Sequence, residues 1–78
     1  MMEVKVKLYG ELEKYGPNQK EKFSVQLPPG TQIKELMDYL KIPAHQVMLI
    51  IKNGIKAKED DLLKNGDDII FLPIVGGG

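Results

Sequence analysis

The 78-residue sequence contains no cysteine, no tryptophan and no arginine, and its only histidine is His45. Without cysteine there is no disulfide framework, no thiol nucleophile and no cysteine-based zinc site. One histidine also rules out a multi-histidine metal site, so we expect no bound metal. The carboxylate pairs at residues 60–61 and 67–68 lie in turn-like segments, where aspartate is common for local hydrogen bonding. The sequence therefore shows no catalytic constellation, and we expect that it is not an enzyme.

The sequence also lacks a net charge, because its eleven lysines balance its eleven acidic residues. Nucleic-acid binders usually carry a strong basic bias, so we expect no nucleic-acid partner. The longest apolar runs, residues 47–51 and 69–72, are far shorter than a membrane span, and we expect no signal peptide because the strand pattern begins almost at once. These absences favour a small cytoplasmic domain with no membrane partner.

Apolar periodicity predicts two strands followed by one helix in the first half of the sequence. Apolar and polar residues alternate over residues 4–8 and 23–27, as in half-buried strands, and a helical turn is expected over residues 11–15. The segment Pro28-Pro29-Gly30 ends the second strand, and Thr31 is a suitable N-cap. Apolar residues spaced i, i+3, i+4 and i+7 then predict an amphipathic helix over about residues 32–41.

The second half of the sequence predicts a hairpin and a final strand. Asn53-Gly54 tolerates the positive φ angles of a two-residue turn between strands at residues 47–51 and 55–58. Residues 69–72 form the last strand. One helix across one face of a mixed sheet of four to five strands is the economical packing of these elements, which is an α+β fold. We expect a single domain over residues 1–78, with a flexible C-terminal tail at residues 74–78.

The last strand is apolar on both sides. Ile69 and Phe71 point one way, whereas Ile70 and Leu72 point the other way. Because one helix covers only one face of a sheet, we expect the opposite face to present apolar side chains, which usually marks a binding surface. The alternative is that the strand is central and that the connection at residues 11–20 folds over the back of the sheet.

Three consecutive glycines, Gly76, Gly77 and Gly78, follow the last strand. Glycine has no side chain to pack and the largest backbone entropy, so this run contributes little to a folded core. A tail without side chains can instead enter a narrow tunnel and present its terminal carboxylate in another protein's active site. The alternative is a frayed terminus or a cloning remnant.

Residues 66–78, with the sequence GDDIIFLPIVGGG, resemble the C-terminal signature of the ubiquitin-like sulfur carriers of the MoaD/ThiS family. That family includes the small subunit of molybdopterin synthase and the sulfur carrier of the thiamine pathway. The strand–strand–helix–strand order, the helix entry at residues 28–31 and the length also fit the family's β-grasp fold. The resemblance covers essentially the full chain and implies a single ubiquitin-like β-grasp domain.

The resemblance implies that Gly78 carries the reacting carboxylate. An E1-like activating enzyme would use ATP to convert it to an acyl-adenylate, and a sulfide or persulfide donor would displace AMP to leave a thiocarboxylate. The chain itself would bind no cofactor, because the ATP is bound by the partner. Gly76 and Gly77 would allow the close backbone approach that such a tail needs. We expect Ile70 and Leu72, together with the apolar run at residues 47–51, to form the docking patch for the partner, and Ile74 and Val75 to anchor the start of the tail.

Several questions stay open at the level of the sequence. The acceptor enzyme would be the large subunit of molybdopterin synthase, which the long first connection and Pro73 favour, or a thiazole synthase of thiamine biosynthesis. The three glycines also leave open which residue is the reactive end, because Gly77 could take this role if Gly78 were removed. The alternatives to a sulfur carrier are a ubiquitin-like modifier conjugated through Gly78 and an interaction module with an inert tail.

Overall fold

A five-stranded mixed sheet with one α-helix forms the protein, and the computed structural model describes residues 1–17 and 21–74. The strands are β1 (Met2–Leu8), β2 (Phe23–Leu27), β3 (Val47–Lys52), β4 (Ile55–Ala57) and β5 (Asp68–Pro73), and the helix is α1 (Ile33–Leu40). The strand order across the sheet is β2-β1-β5-β3-β4. Two short 3₁₀ helices, Gly10–Tyr15 and Ala44–Gln46, lie in the connections before β2 and before β3.

Parallel pairing of the first and last strands lies at the centre of the sheet. β1 runs parallel to β5, and antiparallel pairs β1–β2 and β3–β5 flank these two strands. β4 closes the far edge as a hairpin with β3. The turn of this hairpin is Asn53-Gly54, with φ angles of 53° and 82°, as predicted from the dipeptide. The predicted α+β architecture, with its mixed sheet and single main helix, is confirmed.

The N-cap of the helix lies one residue later in the sequence than the predicted N-cap, Thr31. Gln32 is the N-cap, and its backbone N–H donates to the Glu35 carboxylate at 2.8 Å. The hydroxyl of Thr31, predicted to cap the helix, donates instead to the Pro28 carbonyl at 2.7 Å. The helix ends where Lys41 adopts the left-handed conformation with φ 63°. The observed helix therefore lies within the predicted range of about 32–41.

A single apolar core lies between α1 and one face of the sheet. Leu8 and Phe71 are fully buried on the two central strands, and Leu36 is fully buried on the helix. Leu12, from the first 3₁₀ helix, joins the same core. The described part of the connection between β1 and β2 thus packs on the core through Leu12, and residues 18–20 of that connection lie outside the described ranges.

A buried carboxylate holds the turn that precedes β5. The side chain of Asp67 accepts hydrogen bonds from the Lys64 backbone N–H at 2.8 Å and from Asn53 Nδ2 at 2.9 Å. Asn53 Oδ1 accepts in turn from the Asp68 N–H at 2.9 Å. This confirms aspartate as a local hydrogen-bonding residue of the turn, and Asp67 itself is buried, with its carboxylate bonded to Asn53 of the β3–β4 turn.

Replacing Asp67 with alanine is expected to lower the free energy of unfolding by about 1–3 kcal/mol, because the Lys64 N–H and the Asn53 amide lose their acceptor in a partly buried site. The matched control is Asp60→Ala, since Asp60 is exposed and surface changes usually stay within about 0.5 kcal/mol. Urea denaturation of both variants measures the difference. Equal stabilities of the two variants would contradict the structural role of Asp67.

Candidate functional site

The face of the sheet away from α1 is the open face, and the last strand contributes apolar side chains to it. Ile69 and Phe71 are buried on the helix side, while Ile70 and Leu72 alternate with them and lie partly exposed on the other side. The predicted two-sided character of this strand is therefore observed. Two of the predicted partner-binding residues, Ile70 and Leu72, lie on this face.

Strand register brings apolar residues of β3 beside those of β5. Ile70 pairs with Ile51, and Leu72 pairs with Leu49. All four side chains are partly exposed, whereas Ile50, between the two β3 residues, is buried. We call this group the open-face patch, formed by Leu49, Ile51, Ile70 and Leu72.

Lysines flank the open-face patch on both sides. Lys7 of β1 pairs with Ile70, and Lys56 of β4 pairs with Ile51. The row Lys7–Ile70–Ile51–Lys56 thus crosses neighbouring strands, and its outer Cα atoms are about 14 Å apart at ordinary strand spacing. Sequence reasoning missed the two lysines, since only the register places them beside the patch.

Charged side chains near the patch make contacts of two kinds, an ion pair and a cation–π contact. Lys22 and Asp68 form an exposed salt bridge with an N–O distance of 3.2 Å. The Lys7 ammonium lies 5.3 Å from the centroid of the Tyr9 ring, within cation–π range. The open face therefore combines an apolar centre with one lysine on each flank, Lys7 and Lys56.

The described chain leaves the sheet at Ile74, directly after β5. The Ile74 side chain is 58% exposed, and its backbone N–H donates to the Gln46 carbonyl at 3.3 Å. A groove of about 220 Å³ opens beside it, lined by Glu11, Lys14, His45, Gln46, Pro73 and Ile74. The other predicted tail residues, Val75, Gly76, Gly77 and Gly78, lie outside the described residues.

A search of residues 1–17 and 21–74 finds no group of three or more histidine, cysteine or acidic residues placed to hold a metal ion. In the same part of the chain, none of the helices has the length and apolar character needed to cross a membrane. The described residues therefore form a partly exposed apolar face, and the strand that leads to the glycines lies within it.

Solved structures share this fold over nearly the full length of both chains. A chain in the complex of subunits 1 and 2 of molybdopterin-converting factor from Helicobacter pylori is 29% identical with a TM-score of 0.63, covering 99% of this chain and 100% of that chain. The small archaeal modifier protein 1 of Methanosarcina acetivorans is 25% identical with a TM-score of 0.64, covering 100% of this chain and 98% of that chain.

A more distant structure supports the fold alone. The small archaeal modifier protein 1 of Haloferax volcanii is 15% identical with a TM-score of 0.76, covering 96% of this chain and all of that chain. No curated protein sequence matches the chain. The sequence model of the ThiS family matches residues 6–78, which confirms the resemblance drawn from the glycine-ended segment. Since this match runs over nearly the whole sequence, the chain belongs to the ThiS family.

Proposed function

We propose that this protein is a sulfur carrier, in which the carboxylate of Gly78 is adenylated by an ATP-dependent activating enzyme and then converted to a thiocarboxylate. The observation that carries the proposal is the ThiS family match, which extends through the glycine tail to residue 78. The described structure supports it with an apolar face beside the strand that leads into this tail.

The chemistry needs activation because a carboxylate is a poor electrophile. A carboxylate oxygen of Gly78 attacks the α-phosphorus of ATP and releases pyrophosphate, which leaves an acyl-adenylate. Hydrosulfide then attacks the acyl carbon, and AMP departs with the electron pair of the cleaved C–O bond. With a persulfide donor, the product is an acyl disulfide, and a second thiol releases the thiocarboxylate by forming a disulfide with the donor.

This protein then acts as a sulfur-carrying cosubstrate of its partner enzymes rather than as an enzyme itself. Its sequence has no cysteine, so every thiol in the scheme belongs to the donor or to the partner. The ATP site and the catalytic residues belong to the activating enzyme, and the chain binds no cofactor of its own. We place the reaction in the cytoplasm, where a supply of ATP is at hand.

The open-face patch is the proposed docking surface for the activating and acceptor enzymes. Its partly exposed side chains offer apolar area at little cost to the core, which lies on the opposite face. Ile74 and Val75 extend this contact towards the tail. The lysines that flank the patch add positive charge to its rim and favour a partner surface that carries carboxylates.

Among the acceptor pathways, we favour molybdopterin synthesis, with the large subunit of molybdopterin synthase as acceptor. The support is the 29% identity to a chain in the complex of subunits 1 and 2 of molybdopterin-converting factor. A thiazole synthase of thiamine biosynthesis is the next candidate.

A protein modifier is the second candidate function. The 25% identity to a small archaeal modifier protein favours it, and the two functions share the same acyl-adenylate. In a modifier, the amine of a target lysine displaces AMP and forms an isopeptide bond with Gly78. Covalent high-mass adducts in a cell extract would then replace the thiocarboxylate as the main product.

The first test is intact mass spectrometry after incubation with ATP, sulfide and the activating enzyme of the source cell. We expect the exchange of one oxygen for sulfur, localised by fragmentation to Gly78. Deleting Gly77 and Gly78 should abolish the exchange while thermal unfolding stays unchanged, because glycines contribute no side-chain packing. An unmodified full-length carboxylate after this incubation would overturn the proposal. An exchange localised to Gly77 in a trimmed chain would instead move the reactive end by one residue.

Polar substitution in the open-face patch should weaken activation. We expect Ile70→Ser to raise the KM of the activating enzyme for this protein about tenfold, as for the loss of a central apolar anchor. The matched control is Ile55→Ser, because Ile55 is 72% exposed on β4 and lies outside the patch. Pyrophosphate release at varied protein concentration measures both. Equal KM values for the two variants, with both folded by thermal unfolding, would contradict docking through this face.

A further inference from the structure

The last two described residues, Pro73 and Ile74, are held by parts of the chain outside β5, and we call these two residues the tail root. Val47 pairs with Pro73 in the β3–β5 ladder, and the Ile74 N–H reaches the Gln46 carbonyl one residue beyond the strand. The ladder between β5 and the β3 side of the sheet therefore continues past the strand end. Both residues of the tail root are therefore held against residues 46 and 47.

Gly10 contacts the tail root from the opposite side. Its φ of +56° lies in the left-handed region, and a Cβ atom added there would lie 2.9 Å from Cγ of Pro73. Gly30, Gly54 and Gly66 also have positive φ, but nothing lies within 4 Å of an added Cβ at those positions. A turn conformation alone accounts for these three glycines, whereas Gly10 is additionally required by its close approach to Pro73.

A side-chain hydrogen bond joins the two elements that hold the root. The hydroxyl of Tyr15, at the end of the first 3₁₀ helix, donates to Oε1 of Gln46 at 3.0 Å. Gln46 ends the second 3₁₀ helix, and its carbonyl is the acceptor for the Ile74 N–H. The two short helices are thus tied together directly beside the root.

We propose that Gly10, Tyr15 and Gln46 are positioning residues that hold Pro73 and Ile74, so that the reacting end of the chain starts from one place beside the open face. This inference rests on the proposed sulfur-carrier function and adds to it the residues that present the tail. Together we call Gly10, Tyr15 and Gln46 the clasp.

The physical reason is the short reach of the chain after the root. Gly78 lies four residues beyond Ile74, and four extended residues span at most about 14 Å. A partner that docks on the open face and receives Gly78 in its active site therefore needs the root at a defined distance from that face. A root that is already ordered in the free protein removes part of the ordering cost of binding.

The clasp should affect binding and not the chemical step. The ordered root is needed equally in the complex with the activating enzyme and in the transition state of adenylation. Loss of uniform binding raises KM and leaves kcat unchanged. This split distinguishes a positioning role from damage to the reacting end, which would lower kcat.

Gly10→Ala, with Gly30→Ala as its matched control, tests the inference. Both variants place a side chain at positive φ, but only the alanine at position 10 meets Pro73. The measurements on the full chain are thermal unfolding, the amide exchange rate of Ile74, and pyrophosphate release by the purified activating enzyme of the source cell. We expect both variants to lose some thermal stability.

Only Gly10→Ala should accelerate the amide exchange of Ile74. Only this variant should also raise the KM of the activating enzyme, by about fivefold to tenfold, while kcat stays within about twofold of its value with the unchanged protein. Equal KM values for the two variants would overturn the inference, as would unchanged Ile74 exchange in Gly10→Ala. Absence of pyrophosphate release with the unchanged protein is a separate result, because it overturns the proposed function itself.

Tyr15→Phe provides a second variant that leaves the backbone unstrained. It removes only the hydroxyl that donates to Gln46, and the expected rise in KM is smaller, about twofold to threefold. Tyr39→Phe is the matched control, since Tyr39 is 65% exposed on α1 and outside the clasp. The inference fails for Tyr15 if both phenylalanine variants have the KM of the unchanged protein.

Discussion

Parallel pairing between β1 and β5 is the interaction on which the rest of this structure depends. Val6 pairs with Ile69 and Leu8 with Phe71, and all four side chains are buried against the helix side. This pairing places the C-terminal strand in the middle of the sheet, with ladder hydrogen bonds on both of its edges. The segment that leads to the glycines therefore starts from one of the most constrained strands of the protein, although the glycines themselves add no packing.

Period-two alternation along this central strand places its core residues and its partly exposed apolar residues on opposite faces of the sheet. Phe71 is buried in the core, whereas its neighbours Ile70 and Leu72 face away from the helix. Side chains on the open face contribute less to folding because they remain partly in contact with water. Covering these side chains would bury apolar area without disturbing the core, which lies on the other face.

Hydrogen bonds of polar side chains hold the segments between the strands, namely the turn before β5 and the two 3₁₀ helices. Asp67 accepts hydrogen bonds from the Lys64 backbone and from Asn53, which ties the turn before β5 to the β3–β4 hairpin. At the other end of β5, the hydrogen bond between Tyr15 and Gln46 joins the two 3₁₀ helices beside the exit of the chain. The Asn53 side chain therefore holds the start of the central strand, and the Gln46 backbone carbonyl accepts a hydrogen bond from Ile74 just beyond its end.

Local signals were enough to predict the strands and the main helix, because the helix stripe within residues 32–41, the Asn53-Gly54 turn and the alternation of Ile69 with Ile70 each depend on near neighbours. The glycine-ended segment was also enough to indicate the family. Strand adjacency is visible only in the folded protein, and so are the row from Lys7 to Lys56, the burial of Asp67 and the contact of Gly10 with Pro73. These depend on register between segments far apart in the chain, and residue periodicity carries no information about which distant strand becomes a neighbour.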